Sequence, residues 1–173
     1  AVVARTIEWG GSNLNSQYVI VPRGYSEQSF TPDGQNGMVF IARYGYVGLA
    51  VEQKEFIAEG INEAGLSAGL FYFPHYGEYE DYDKKVADSS ISDFQLVSWI
   101  LGKCTTLEEV KEAVANVHII NIDSRASTVH WRFADQTGRQ LVLEIIGKET
   151  HFYENNLGVL TNSPGFEWHL TNL

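Results

Sequence analysis

Alternation of apolar and polar side chains dominates the first half of the chain. Residues 1–9, rich in Val, Ala and Ile, read as a strand, and so do 17–22 and 38–42, where Val, Ile, Tyr and Phe are bounded by Gly, Pro and Asp. Residues 25–37 between them read as a loop. The runs 56–61 and 66–73 flank Asn62, Glu63, Ala64 and Gly65, a short glycine-bearing connection that predicts a β-hairpin, and Pro74 ends its second strand. Residues 75–90 hold Tyr, Asp and Glu with no apolar period, which predicts a surface loop.

The period then changes. Phe94, Val97 and Leu101 fall at helical spacing behind Ser92 and Asp93, which can cap, and Gly102 fits the end of that helix. Thr106 followed by Glu109 makes a capping box, with Leu107, Val110, Val114 and Val117 as one apolar stripe behind it. Strands return at 127–134 and 139–146 around Asp135, Gln136, Thr137 and Gly138, then at 151–154 and 158–161, and residues 167–173 read as a helix beginning. Antiparallel hairpins segregated from helices argue for an α+β fold in a single domain over 1–173, with no repeat or linker dividing it. The chain reads as starting and ending in mid-fold.

Composition narrows the function classes. With 12 basic against 22 acidic residues the 173-residue chain carries a formal charge of −10, and its Lys and Arg are scattered, which argues against nucleic-acid binding. At 44% hydrophobic and 20% charged it belongs with globular chains that bury a core. The best apolar run, 141–146, is short and interrupted by Glu144, so no membrane insertion is expected. The lone Cys104 excludes an internal disulfide framework and reads as a small residue covering the joint between two helices.

Five histidines, His75, His118, His130, His151 and His169, lie far apart without ligand spacing, so no metal site is expected. No phosphate-cradling glycine loop or nucleophile elbow is present, and nothing points to a serine triad. Two segments carry more. Arg5 and Glu8 stand in an otherwise apolar run, read either as solvated edge charges or as groups that need a partner or a task. Asn162, after the apolar residues 158–160, reads either as an Asx-turn or cap, or as a neutral amide donor suited to an oxyanion.

Several pieces in order along the chain resemble the choloylglycine hydrolase family, the conjugated bile acid hydrolases and penicillin V acylases within the N-terminal nucleophile hydrolases. They are Arg5 to Trp9, the Tyr18 to Gly24 stretch with its Pro-Arg-Gly end, residues 60–66, 106–113, Ser127 to Trp131, 135–138 and 159–164. The resemblance implies a four-layer αββα sandwich of two antiparallel sheets covered by helices. It also implies hydrolysis of a linear, non-peptide amide by an N-terminal cysteine, whose thiolate attacks the carbonyl while its own α-amino group serves as base.

Carried over by position, Arg5 is the cation beside the nucleophile, and Glu8 stands where the family usually has an aspartate on the α-amino group. Tyr72 and Asn162 fall at the two oxyanion positions. Ile7 and Ala58 fall on the pocket wall, and Trp9 is either an aromatic wall of the substrate site or a core residue. The nucleophile itself falls upstream of Ala1, and a further arginine of the family falls beyond Leu173, so the residues shown correspond to about half of a member. The resemblance implies no cofactor, a small-molecule amide substrate, a homo-oligomer, commonly a tetramer, and a bacterial cytoplasmic or periplasmic location. A scaffold that has lost its cysteine and binds an acyl or steroid ligand is the alternative.

Overall fold

Short strands rich in β-branched and aromatic residues, separated by glycine turns, build most of the protein. The computed structural model describes residues 2–7, 13–123 and 126–172. In chain order the strands are β1 (Gln17–Val21), β2 (Ser26–Gln28), β3 (Val39–Ile41), β4 (Tyr46–Ala50), β5 (Ile57–Asn62), β6 (Ser67–Tyr72) and β7 (Ser90–Ser92). Helices α1 (Leu96–Lys103) and α2 (Leu107–Val114) follow, then β8 (His118–Ile120), β9 (Val129–Ala134), β10 (Gln140–Ile146), β11 (Glu149–Glu154) and helix α3 (Phe166–Thr171). Seven strands form one sheet in the order β1-β4-β5-β6-β9-β10-β11, antiparallel at every pairing. β2 and β3 make a small antiparallel sheet, and β7 and β8 a parallel pair. The fold is the α+β sandwich expected from the sequence.

Helix α1 packs flat on β5 and β6. A methyl group on Gly60 would lie 2.7 Å from Leu101 Cδ1 and 2.8 Å from the Val47 carbonyl, so the missing side chain sets how closely the helix approaches. Leu96, Val97, Ile100 and Leu101 are fully buried between this sheet face and the layer beyond, joining Ala68, Leu70, Trp131, Phe133, Leu141 and Leu143 in one core. Asn62 ties the layers together. Its amide donates to the carbonyls of Leu101 (2.9 Å) and Cys104 (2.7 Å) at the end of α1. Its carbonyl accepts from Ala64 N (3.1 Å) and Leu66 N (3.0 Å), closing the hairpin turn that Gly65 completes at φ +85°.

Several expected elements differ. Residues 2–7 form no strand; the Arg5 side chain rather than a backbone ladder ties them to the sheet. Residues 158–161 form none either, because Asn155 takes up the local backbone, accepting from Leu157 N and Gly158 N and donating to Val159 O. The 75–90 stretch is not simply a surface loop: Tyr79 is buried, and its hydroxyl both donates to Val129 O and accepts from Val129 N at 2.8 Å. Within 25–37 lies β2, and β4 and β8 were not anticipated. Gly102 sits inside the last turn of α1, where a methyl group would come 3.2 Å from Ala42 Cα, so it serves close packing rather than termination. The capping box at α2 is shifted: Thr106 Oγ1 accepts from Glu109 N, while the Glu109 carboxylate accepts from Thr105 N at 2.6 Å.

Candidate active site

Side chains alternate across a strand, so with Gly60 beneath α1 the neighbouring Glu59 lies on the opposite face of the sheet. Register carries that face from Glu59 through Gly69 to Arg132. Gly69 makes the crossing possible. A methyl group there would lie 2.8 Å from Glu59 Cδ, so only glycine lets the carboxylate reach across β6 to take a 2.6 Å hydrogen bond from Arg132 Nη2. Arg132 also donates to Ser67 Oγ at 3.2 Å.

Arg5 enters from the other side. Its Nη1 donates to the carbonyls of Ala58 (2.9 Å) and Leu70 (2.7 Å), stands 3.6 Å from Glu59 Oε2, and the guanidinium lies 4.2 Å from the centre of the Phe71 ring. All three charged side chains are largely buried, at 15% exposure for Arg5, 18% for Glu59 and 6% for Arg132. Burial lowers the Arg5 pKa, against the pull of Glu59, and burial raises that of Glu59 in spite of both guanidiniums. Among the described residues two cations surround one carboxylate, an arrangement whose field favours a thiolate or a developing oxyanion.

A cavity of about 530 Å³ opens beside this cluster. Arg5, Ile7, Ala58, Tyr72 and Asn162 all line it, together with Arg132. Ala58 is buried, Ile7 half-buried, Tyr72 partly exposed at the end of β6, and Asn162 exposed on the segment before α3. The cavity therefore joins side chains from the start of the chain, the central hairpin and its last quarter. Glu8 and Trp9 lie outside the described residues. The 161–166 segment that carries Asn162 is tied down from beneath: His130 Nε2 meets Thr161 O at 2.9 Å, Ser163 Oγ donates to Pro74 O at 2.8 Å, and Phe166 N donates to Glu144 at 2.9 Å.

A larger depression of about 670 Å³ lies between β3 and the two central helices, lined in part by Trp99, Lys103 and Cys104. It lacks converging buried charge. Cys104 there is buried, and burial pushes its thiol up to about 12, which disfavours the thiolate and fits a packing role. Among the described residues no group of three or more His, Cys, Asp or Glu side chains is placed to hold a metal, and no helix is long and apolar enough to cross a membrane.

Sequence reasoning missed Glu59, Arg132, His130 and Glu144 as members of this neighbourhood. The available signal was charge or imidazole inside apolar strands, as in Ile57 to Asn62, Val129 to Ala134 and Gln140 to Ile146. Such groups are costly to bury unless paired.

An antiparallel sheet under a helical layer, with a charged cavity on its other face, makes this a layered α+β fold with a candidate active site. Residues 1–173 match the family described as linear amide C–N hydrolases, choloylglycine hydrolase family, and the chain belongs to that family. It is 31% identical over 169 residues to a bile salt hydrolase/transferase of Clostridium perfringens, covering 93% of this chain and 49% of that protein. A penicillin V acylase of Pectobacterium atrosepticum is 23% identical, covering 98% and 47%. Among solved structures, a variant of the conjugated bile acid hydrolase from Clostridium perfringens superimposes with a TM-score of 0.78 at 30% identity, over 93% of this chain and 49% of that one. The penicillin V acylase from Agrobacterium tumefaciens gives 0.80 at 24% identity, covering 96% and 50%, and shares the fold. The chain spans about half the length of the relatives it matches.

Proposed function

We propose that the protein to which this chain belongs hydrolyses a linear, non-peptide amide through an acyl-enzyme formed on an N-terminal cysteine, with substrates of the penicillin V or conjugated bile acid type. The observation that carries this reading is the meeting of Arg5, Tyr72 and Asn162 on one cavity whose walls include Ile7, Ala58 and Leu70. A cation, two neutral donors and an apolar wall are what attack on an acyl amide requires.

In this reading the cysteine thiolate, favoured by Arg5, adds to the amide carbonyl. The tetrahedral oxyanion accepts hydrogen bonds from the Asn162 amide and the Tyr72 hydroxyl. The cysteine's own α-amino group, which titrates near about 8 when unperturbed, takes the thiol proton and returns it to the departing nitrogen. Collapse breaks the C–N bond, releases the amine and leaves a thioester. Water, deprotonated by the same amine, then frees the acid. Glu8 is assigned to hold the α-amino group, Ile7 and Ala58 to contact the acyl part, and Trp9 to extend that wall.

The test is amine release by the whole gene product from penicillin V, glycine- and taurine-conjugated bile acids and N-acyl homoserine lactones, with loss of activity on alkylation of its N-terminal residue. Absence of hydrolysis across the panel by a protein bearing a free N-terminal cysteine would overturn the proposal, and tight binding of the acyl compounds without turnover would replace it with a binding role.

A further inference from the structure

The His130–Glu144 pair is a deeply buried polar contact near the cavity, and the chemistry above gives it nothing to do. Both side chains are essentially inaccessible, at 0% and 1% exposure, and Nδ1 of His130 stands 2.9 Å from Glu144 Oε1. The imidazole is fixed in its plane. Phe73 stacks on it at 4.3 Å between centroids and 8° between planes, and Phe71 meets it edge-on at 6.1 Å.

Each remaining polar atom of the pair goes to the same short segment. His130 Nε2 meets the Thr161 carbonyl at 2.9 Å, and a carbonyl can only accept, so Nε2 carries a proton. Glu144 accepts the Phe166 amide at 2.9 Å and 3.2 Å through its two oxygens. A methyl group on Gly165 would come 3.3 Å from Glu144 Oε2, so the backbone passes directly over the carboxyl. Thr161 and Phe166 bracket Asn162, whose own side chain is exposed at the cavity. Nothing else among the described residues puts an ionisable pair beneath a cavity-lining loop in this way.

We infer that His130 and Glu144 are positioning residues: they strap residues 161–166 to the sheet and thereby hold the Asn162 amide at the depth where an oxyanion forms. The inference rests on the reading of Asn162 as an oxyanion donor. Stability alone is a poor reason for such a pair, because burying polar groups costs desolvation that well-packed apolar residues in their place would not. Fixing a backbone carbonyl and a backbone amide five residues apart is something apolar side chains cannot do.

The experiment is a kinetic cycle on the whole gene product with its best amide substrate, run beside amide hydrogen exchange. Asn162→Ala should lower kcat by about 10²–10³-fold, the usual effect of one lost oxyanion donor. His130→Leu should lower kcat at least about tenfold with KM little changed, because the donor is misplaced rather than the substrate pocket. The double variant should be no slower than Asn162→Ala alone. Glu144→Gln should stay close to the parent, since its carbonyl can accept from Phe166 N–H and its amide can donate to Nδ1 of a neutral imidazole. Multiplying losses in the double variant, or a Glu144→Gln as slow as His130→Leu, would overturn the strap.

If Asn162→Ala keeps full kcat, the oxyanion assignment falls, and exchange decides the strap separately. His130→Leu should then speed exchange across residues 161–166 by about tenfold or more, against no change in Glu144→Gln, and unchanged exchange would overturn it. Where His130→Leu fails to fold, the parent protein answers: the His130 Nε2 proton should be visible and slowly exchanging by NMR, and a bare Nε2 would overturn the inference.

Discussion

Among the described residues Glu59 is the carboxylate between two buried guanidiniums, and replacing it by leucine removes that charge. Arg132, 6% exposed, loses its 2.6 Å partner, and Arg5, 15% exposed, loses the charge 3.6 Å away. The two cations then face each other without the Glu59 carboxylate between them. Breaking a buried pair from one side costs about 3–5 kcal/mol. At about 2–4 °C per kcal/mol for a protein of this size, the melting temperature should fall by about 6–20 °C. Gly69→Ala should act through the same carboxylate without touching any charge, because its methyl group would lie 2.8 Å from Glu59 Cδ and push it off β6. Thermal and urea unfolding of the two single variants and the double would read the coupling, and the double should be little worse than Glu59→Leu alone. A drop below about 2 °C for Glu59→Leu, or full additivity with Gly69→Ala, would refute the account of glycine as the gap through which the carboxylate crosses.

Other consequences are as specific. Asn62→Ala strands the Leu101 and Cys104 carbonyls and two turn amides, and should cost about 2–4 kcal/mol by urea unfolding; a loss under about 1 kcal/mol would show that water replaces all four bonds. Cys104→Ala should leave amide hydrolysis unchanged, and because burial pushes this thiol up to about 12 it should react with a disulfide reagent at neutral pH only after unfolding. Burial raises Glu27 from 4.5 to about 7 although Gln95 donates to it. The folded state thus holds that proton more tightly than the unfolded state, and stability should fall as pH rises through this interval, by at most about 3 kcal/mol. Glu27→Gln should flatten that part of the profile in unfolding titrations at pH 5 and 8, and an unaltered slope would assign the dependence elsewhere.

Much of the architecture was legible because it follows local rules. The hairpin of β5 and β6 follows from two apolar runs around a glycine turn, and α2 follows from Thr106 and its apolar stripe. Strand β4 was hidden by Gly48, which breaks the β-branched pattern but lets Ile57 sit where a side chain would otherwise stand. The 158–161 run looked like a strand by composition, yet one asparagine at 155 captures its backbone groups, an effect no periodicity reports. At the site, Arg5, Ile7, Ala58, Tyr72 and Asn162 were carried over by position from the family resemblance, and they share a cavity. Glu59 and Arg132 were invisible because their partnership exists only through sheet register, across a strand whose glycine has no chemistry of its own.

That register gives β9 an unusual position. His130 and Arg132 are two apart and so lie on one face, the first fastening the segment that carries Asn162 and the second fastening Glu59 beside Arg5. Between them Trp131 faces the core, fully buried, where its ring lies 5.9 Å from that of Tyr79 and its indole N–H points to the Asp93 carbonyl at 3.3 Å. The two halves of the cavity, one anchored by charge and one by hydrogen bonds, therefore share a single strand that the core clamps from behind. A displacement of β9 cannot move the Arg5 side without moving the Asn162 side, since each anchor is one residue from Trp131. In the proposed reaction, core packing at Trp131 would thus bear on the spacing of Arg5 and Asn162, the kind of positioning on which attack at a carbonyl depends.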